Sequence, residues 1–291
     1  MEIFRFSLGK DIPLCPFPLL LGNFDGFHKG HMRLIEAAKE AGPFGILFLD
    51  PPFPKANEPK VLMTLEDKFA FVRAIGAKEA FVAETDPSFF DLSKEEFIDL
   101  VLRKMNPPLL VFGEDYRFGK GGLGVKGDLE AAFTTLPVPL LNDGQEKIGT
   151  SRIRAFLKEG LIESANSDLG RPYRIHGTIA KGFQNGRKIG FPTANLVSLP
   201  YVLPKNGVYG GLSYLRGKPY LSIINVGNAP TVGKLKEDVV EVYLDGFSGD
   251  CYDETLYTEF DIRIRDEIKF QDLEHLKKQL CADLAEARRR L

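Results

Sequence analysis

The chain has little with which to build a cysteine metal site or to cross a membrane. Its three cysteines, Cys15, Cys251 and Cys281, are odd in number and show no metal-ligand spacing, which favours a reducing, cytoplasmic setting. The N-terminus lacks a basic start followed by an apolar core, so no signal peptide is expected. The apolar stretch near it, at residues 19–21 and their neighbours, is far too short to span a bilayer. The formal net charge of -2 gives no global basic field, so neither nucleic acid nor an anionic membrane is an expected partner. Internal repeats and low-complexity tracts are absent too. Any affinity for phosphate must therefore be local.

What is present is a soluble composition, 44% hydrophobic and 27% charged, over 291 residues. That length is enough for two domains with separate cores. The first half alternates strand-like and helix-like segments. Residues 17–22, 45–49, 80–83, 109–112 and 138–141 read as strands, and 31–41 and 129–136 as helices. A further helix opens at Thr64 with Leu65, Phe69 and Val72 on one face. Ser93 and Glu96 form a capping box for another, striped by Phe97, Val101 and Met105. Continuously apolar strands alternating with helices predict a parallel sheet covered on both faces. Its ligands sit beyond the carboxyl ends of the strands.

After about Gly170 the texture changes. Short β-prone segments at 174–179, 207–215, 220–226, 239–244 and 255–264 are separated by glycines or prolines. They predict an antiparallel barrel. A closing helix carries Leu273, Leu276, Leu280 and Leu284, with Arg288, Arg289 and Arg290 as a solvated last turn. The boundary is expected near residues 168–173, giving domains 1–168 and 169–291.

Two segments carry chemistry. In GNFDGFHKGH (residues 22–31), Gly22 and Gly26 loosen the turn that leaves the first strand. His28 and His31 then meet a helix N-terminus, whose N–H groups and partial positive charge suit phosphates. Gly30 removes a side chain that would obstruct a triphosphate, and two imidazoles can donate to an α-phosphate as charge builds on it. A metal pair or incidental surface histidines are the alternatives. In GRKIGFPTANL (residues 186–196), Pro192 fixes the backbone while Thr193 and Asn195 present oxygens suited to Mg²⁺ and phosphate. Gly182, Gly186 and Gly190, with Lys181 and Arg187, can form a flap over phosphates; for Thr193 and Asn195 after the proline, an ordinary turn is the alternative. Glu241, between Val240 and Val242, points away from both, into a barrel mouth or solvent, and is the candidate base for a hydroxyl. The glycine-rich tail of FGEDYRFGKGGLG (residues 112–124) lacks the Gly-Lys-Ser/Thr ending of a P-loop.

The first segment resembles the HxGH signature of the nucleotidyltransferases, whose fold is Rossmann-like. IGTSRIR (residues 148–154) resembles their second signature: Thr150 and Ser151 would cap a helix, and Arg152 and Arg154 would grip the β- and γ-phosphates. With LMTLEDK, GEDYRFG, LGRPYRIHG, FPTAN, NGVYG, NVGNAPTVG and RIRDEIKF, nearly the whole chain resembles the bacterial bifunctional riboflavin kinase/FAD synthetase family. The resemblance implies phosphorylation of riboflavin to FMN with ATP and Mg²⁺, then adenylylation of FMN to FAD. It implies Glu241, His28 and His31 as catalytic, and Thr193 and Asn195 as ligands of the metal. Gly22, Phe24, Asp25, Gly30 and the TSRIR residues would bind nucleotide phosphates at the first site. Gly182, Arg187, Gly190, Pro192, Thr193 and Asn195 would do so at the second, with Asp115, Phe118 and Arg265 beside the flavin. A monomer or weak homo-oligomer is expected. One departure stands out: LDPPFP (residues 49–54) puts Pro52 or Phe53 where the family has a histidine. The competing readings are a kinase with a weak adenylyltransferase, and a non-catalytic flavin-binding regulator.

Overall fold

A computed structural model describes residues 1–50, 60–144, 146–180, 190–197, 199–229 and 237–291. Their contacts divide the chain into two units, Met1–Thr150 and Ser151–Leu291.

The first unit is a parallel sheet of β1 (Glu2–Phe6), β2 (Leu19–Leu21), β3 (Gly45–Asp50), β4 (Glu79–Glu84), β5 (Leu110–Gly113) and β6 (Thr135–Val138). Their spatial order is β1-β4-β3-β2-β5-β6. The central strands are buried along nearly their whole length, which is why they read as unbroken apolar runs rather than alternating ones. Two apolar clusters cover the sheet. One holds Leu19, Leu21, Phe81, Phe97, Val101 and Met105; the other holds Leu20, Phe24, Phe27, Ile35, Phe48 and Val72. Helix α1 (Lys29–Ala41) follows β2, and α2 (Leu65–Ala74) starts from a reciprocal cap between Thr64 and Asp67. The Ser93–Glu96 capping box also forms, and its helix runs on through a π-helical turn at Ile98–Leu102.

Two expectations are corrected here. Residues 129–136 are not one helix: a short helix, Lys126–Glu130, gives way to β6, whose Thr135 to Val138 pair with Leu110 to Gly113. The strand expected at 138–141 therefore lies earlier in the chain. Strand β1 was unforeseen; it pairs with β4 at the far edge of the sheet. Both are edge strands, short and stabilised by a partner, and an edge tolerates Pro137 because one side of its ladder is unpaired.

Cys15 lies in the first cluster, 1% exposed, its Sγ donating to the Phe17 carbonyl at 3.3 Å. Burial pushes its thiol from 9.0 up to about 11. A folded-state value above the unfolded one means that stability is intact below pH 9 and is lost as pH rises toward 11. The linkage is on the order of 3 kcal/mol. Urea denaturation at pH 8 and pH 10.5 should show this slope in the native chain and a flatter one in Cys15→Ala.

The second unit begins with α3 (Thr150–Glu159, all but its first residue) and α4 (Ile162–Leu169). Strands β7 (Tyr173–Ala180), β8 (Thr193–Leu196), β9 (Gly207–Leu215), β10 (Lys218–Ala229), β11 (Glu237–Leu244) and β12 (Thr255–Phe260) follow, with β13 (Ile262–Arg265) added beside β9. Among the described residues the order β10-β11-β8-β7-β12-β9 closes on itself through a β10–β9 pairing, making an antiparallel barrel. Its interior holds Ile224, Val226, Val240, Val242, Leu256 and Phe260. Ser213, Ser222 and Thr258 are also fully buried, and Ser213 Oγ lies 2.8 Å from Ser222 Oγ and 3.2 Å from Thr258 Oγ1. Each hydroxyl thus finds a partner away from water, as burial requires. The closing helix, α5 (Leu273–Arg290), presents Leu276, Leu280, Leu284 and Ala287 to a cluster with Phe191, Val208, Ile223 and Tyr243. Its last-turn arginines form ion pairs, Arg288 with Asp245, Arg289 with Glu286 and Arg290 with Glu163.

Candidate active sites

The first site is the loop between β2 and α1, at the carboxyl edge of the sheet. Phe24 and Phe27 have left-handed backbones, at φ 45 and 42, and Gly26 lies at φ 95. A bulky residue held there costs about 1–3 kcal/mol. Both rings are fully buried, stack at 5.5 Å and stand edge-on to Phe48. Burying each ring offsets a cost of that size, at roughly 1.5–3 kcal/mol. Aromatic anchoring therefore fixes a loop shape that the local backbone disfavours. A Cβ on Gly22 would come within 2.9 Å of the Phe24 ring.

Asp25 is buried, and its Oδ1 accepts from the N–H groups of Leu62 at 2.8 Å and Met63 at 3.2 Å. Beside it Lys68, 5% exposed, donates from Nζ to the Asn23 carbonyl at 3.2 Å and lies over the Phe48 ring. Burial pushes the Lys68 ammonium below its ordinary value, and the charges of Asp25 and Asp50 oppose that shift. Thr150 Oγ1 donates to the Asp25 carbonyl at 3.0 Å. Asp25 latches the loop through its carboxylate, and the Phe24 ring is a core anchor. Lys68 escaped the sequence reading, although a lysine amid the Leu65, Phe69 and Val72 stripe was a visible signal.

His28 is the N-cap of α1, and its Nδ1 accepts from the His31 N–H at 3.4 Å. With Nδ1 accepting, the proton of the neutral ring resides on Nε2, which becomes a donor. The two imidazoles stack with centroids 3.7 Å apart. A Cβ on Gly30 would meet His28 Nδ1 at 3.1 Å, so glycine there makes room for the histidine itself. The first turn of α1 carries no acidic residue, which leaves its positive end uncompensated.

The neighbouring GEDYRFG segment divides its residues. Asp115 is exposed and ion-paired with Lys147. Phe118 packs against Phe97 and Tyr116 in the core, placing it in a structural position rather than on an open face. In the TSRIR segment, Arg152 pairs with buried Asp168 at 3.0 Å and lies over the Phe156 ring, and Arg154 is itself buried.

The second site is built by strand register. Phe191 packs on Tyr243 at 4.8 Å and seats the start of β8. The FPTAN segment continues into that strand, so Thr193 to Asn195 are not the ordinary turn that was the alternative. Thr193 and Asn195 share one face of β8, while Ala194 and Leu196 are buried on the other. In the ladder Asn195 lies opposite Glu241, and Glu241 lies opposite Asn225 on β10. Directly opposed residues point the same way. Asn195, Glu241 and Asn225 thus form one row, and Asn225 Nδ2 donates to Glu241 Oε2 at 3.5 Å. Asn195 Nδ2 is directed to the Thr193 carbonyl at 3.4 Å. This row lies on the face shared with Ile223 and Tyr243, toward the α5 cluster; Val240 and Val242 fill the barrel. A cavity of about 230 Å³ opens at the start of β8, lined by Ile179, Thr193, Ala194, Val242, Leu244 and Phe247 among others.

Arg265 grips Asp283 of α5 from Nε at 2.9 Å and from Nη2 at 2.8 Å, with Nη1 on the Asp266 carbonyl. Its guanidinium fork joins helix to barrel. Gly182, Gly186, Arg187 and Lys181 lie outside the described residues, as do Pro52 and Phe53. Gly190, at φ 83, takes the left-handed backbone its residue type allows. Among the described residues no group of three His, Cys, Asp or Glu side chains gathers to hold a metal.

Comparison with known proteins matches the riboflavin kinase family model to residues 169–291 and the FAD synthetase family model to residues 16–152. The bifunctional riboflavin kinase/FMN adenylyltransferase of Bacillus subtilis (strain 168) is 34% identical over 286 residues, 92% of this chain and 90% of that protein. The protein of the same description from Escherichia coli (strain K12) is 31% identical, over 93% and 91%. A solved structure described as the macrolide-efflux protein from Streptococcus pneumoniae superposes with a TM-score of 0.89 at 28% identity, covering 98% of both chains. Likeness of fold does not carry an efflux activity across. Among the described residues no helix is long and apolar enough to cross a membrane.

Proposed function

The chain belongs to the bifunctional riboflavin kinase/FMN adenylyltransferase family, and from that premise we propose how its residues divide the two reactions. The Asn195–Glu241–Asn225 row carries the kinase reading. Glu241 takes the proton of the riboflavin 5′-hydroxyl as that oxygen attacks the γ-phosphorus of ATP, and ADP leaves. Thr193 and Asn195 suit Mg²⁺: both offer neutral oxygens, leaving the ion's charge to the phosphates, as that ion prefers. When bound, the ion neutralises charge on the β- and γ-phosphates. The cavity beside Pro192 and Thr193 takes the adenine of this ATP.

Adenylyl transfer falls to the loop at residues 22–31. An FMN phosphate oxygen attacks the α-phosphorus of a second ATP, pyrophosphate leaves, and FAD forms. The Nε2–H of His28, with His31 and the N-terminus of α1, stabilises the charge that gathers on the α-phosphate. The assignment of Ser151, Arg152 and Arg154 to phosphates, and of Asp115 to the flavin, rests on the family resemblance. We divide the activities at 168/169 and place them in the cytoplasm, where three unpaired cysteines persist. A monomer or weak homo-oligomer is the proposed form.

Purified chain incubated with riboflavin, ATP and Mg²⁺, its flavins separated over time, should yield FMN and then FAD. FMN alone would favour the weak-adenylyltransferase reading raised by Pro52 and Phe53. Bound but unconverted riboflavin would overturn the enzyme reading.

A further inference from the structure

Asn225 opens the NVGNAPTVG segment, to which the sequence assigns no chemistry. It stands on β10 directly across from Glu241, with Ile224 and Val226 on either side buried in the barrel. Among the described residues it is the side chain that hydrogen-bonds Glu241, from Nδ2 to Oε2 at 3.5 Å. A second carboxylate lies close by. A Cβ on Gly227 would fall 2.6 Å from Glu267 Oε1 and 3.8 Å from Asn225 Nδ2, so these two groups meet over the same glycine. Asn206 Nδ2 holds the other oxygen of Glu267 at 3.4 Å.

The amide of Asn225 therefore bonds one carboxylate, while a second stands over the neighbouring Gly227 on the same strand face. A primary amide brings two N–H donors and no charge, so it can draw one carboxylate into line without neutralising it. A general base must be held in reach of the proton it removes, and a displacement of about 1 Å can cost on the order of 100-fold in rate.

We propose that Asn225 is a positioning residue for the kinase reaction: its carboxamide orients Glu241 toward the riboflavin hydroxyl. The proposal rests on Glu241 being the base.

Asn225→Asp keeps the shape but replaces a donor with a third carboxylate. The kcat for riboflavin phosphorylation should fall by about 10- to 100-fold, with KM for ATP and riboflavin changed by less than about threefold. Adenylylation of supplied FMN by the same chain should be unchanged, which serves as the control for folding. Combined with Glu241→Gln, the variant should be no slower than Glu241→Gln alone, because a positioning residue has nothing left to position. A wild-type kcat in Asn225→Asp, or additive losses in the double variant, would overturn the proposal while leaving Glu241 as base. Full kinase activity in Glu241→Gln would instead overturn the base reading, and the Asn225 proposal with it. If Asn225→Asp also loses adenylylation, Asn225→Ser decides: a kcat lowered with KM retained supports the role, and an unchanged kcat refutes it.

Discussion

Replacing His28 with asparagine should stop the chain at FMN. The two roles of His28 separate in this substitution. Its Nδ1 caps α1 by accepting the His31 N–H, and asparagine is as good an N-cap, so stability should hold within about 1 kcal/mol. The imidazole Nε2–H has no counterpart in the shorter side chain. Losing one donor aimed at developing phosphate charge costs about 10²–10³ in kcat. The expected record is FMN accumulating at the native rate, FAD slowed by that factor, and a melting temperature close to native. His28→Ala should lose FAD synthesis and the cap together, with a visibly lower melting temperature. FAD formation within about tenfold of native in His28→Asn would place the charge stabilisation elsewhere, in the α1 N-terminus or in His31.

The second large effect is expected at Glu241. Glutamine is isosteric and keeps a side-chain oxygen opposite Asn195 and Asn225, so the cross-strand row should survive. What it removes is the ability to take a proton. Loss of a positioned general base typically costs about 10²–10⁴ in rate. Glu241→Gln should therefore bind riboflavin and ATP with KM values near native, turn over about 100-fold or more slowly, and still convert supplied FMN to FAD. The comparison is internal to one chain, since the second reaction reports that the protein is folded. A Glu241→Gln enzyme with native kcat would show that the hydroxyl needs no carboxylate here, leaving positioning by Thr193 and Asn195 to account for the rate.

The two sites were legible in the sequence to different depths. Local signals sufficed where local chemistry acts. Ser93 and Glu96 announced a capping box because both partners lie within one helical turn. The glycines around His28 and His31 marked a strand-to-helix loop because strand, turn and helix follow one another directly. Leu276, Leu280 and Leu284 of α5 fell on one stripe, since the helical period is local as well. Barrel and parallel sheet could be told apart by spacing alone.

Other features depended on partners far along the chain. Strand β6 exists because β5 offers it a ladder; its own TLPV sequence carries a proline and no alternation. The partner of Arg265, Asp283, comes from α5, some eighteen residues further on. The Phe24 ring is drawn into the core by Phe27 and Phe48, and the Asp25 carboxylate is bound by the backbone of Leu62 and Met63, partners that lie outside the loop's own turn. Thus the sequence alone determined the two layer architectures, the helix caps and the residue types available for phosphate chemistry, because each is written in short-range periodicity and turn chemistry. Only the tertiary structure decided which of those residues stand together. The row of Asn195, Glu241 and Asn225 is a matter of register between strands that are remote in sequence, and a slip of one residue would turn Glu241 to the opposite face of the sheet.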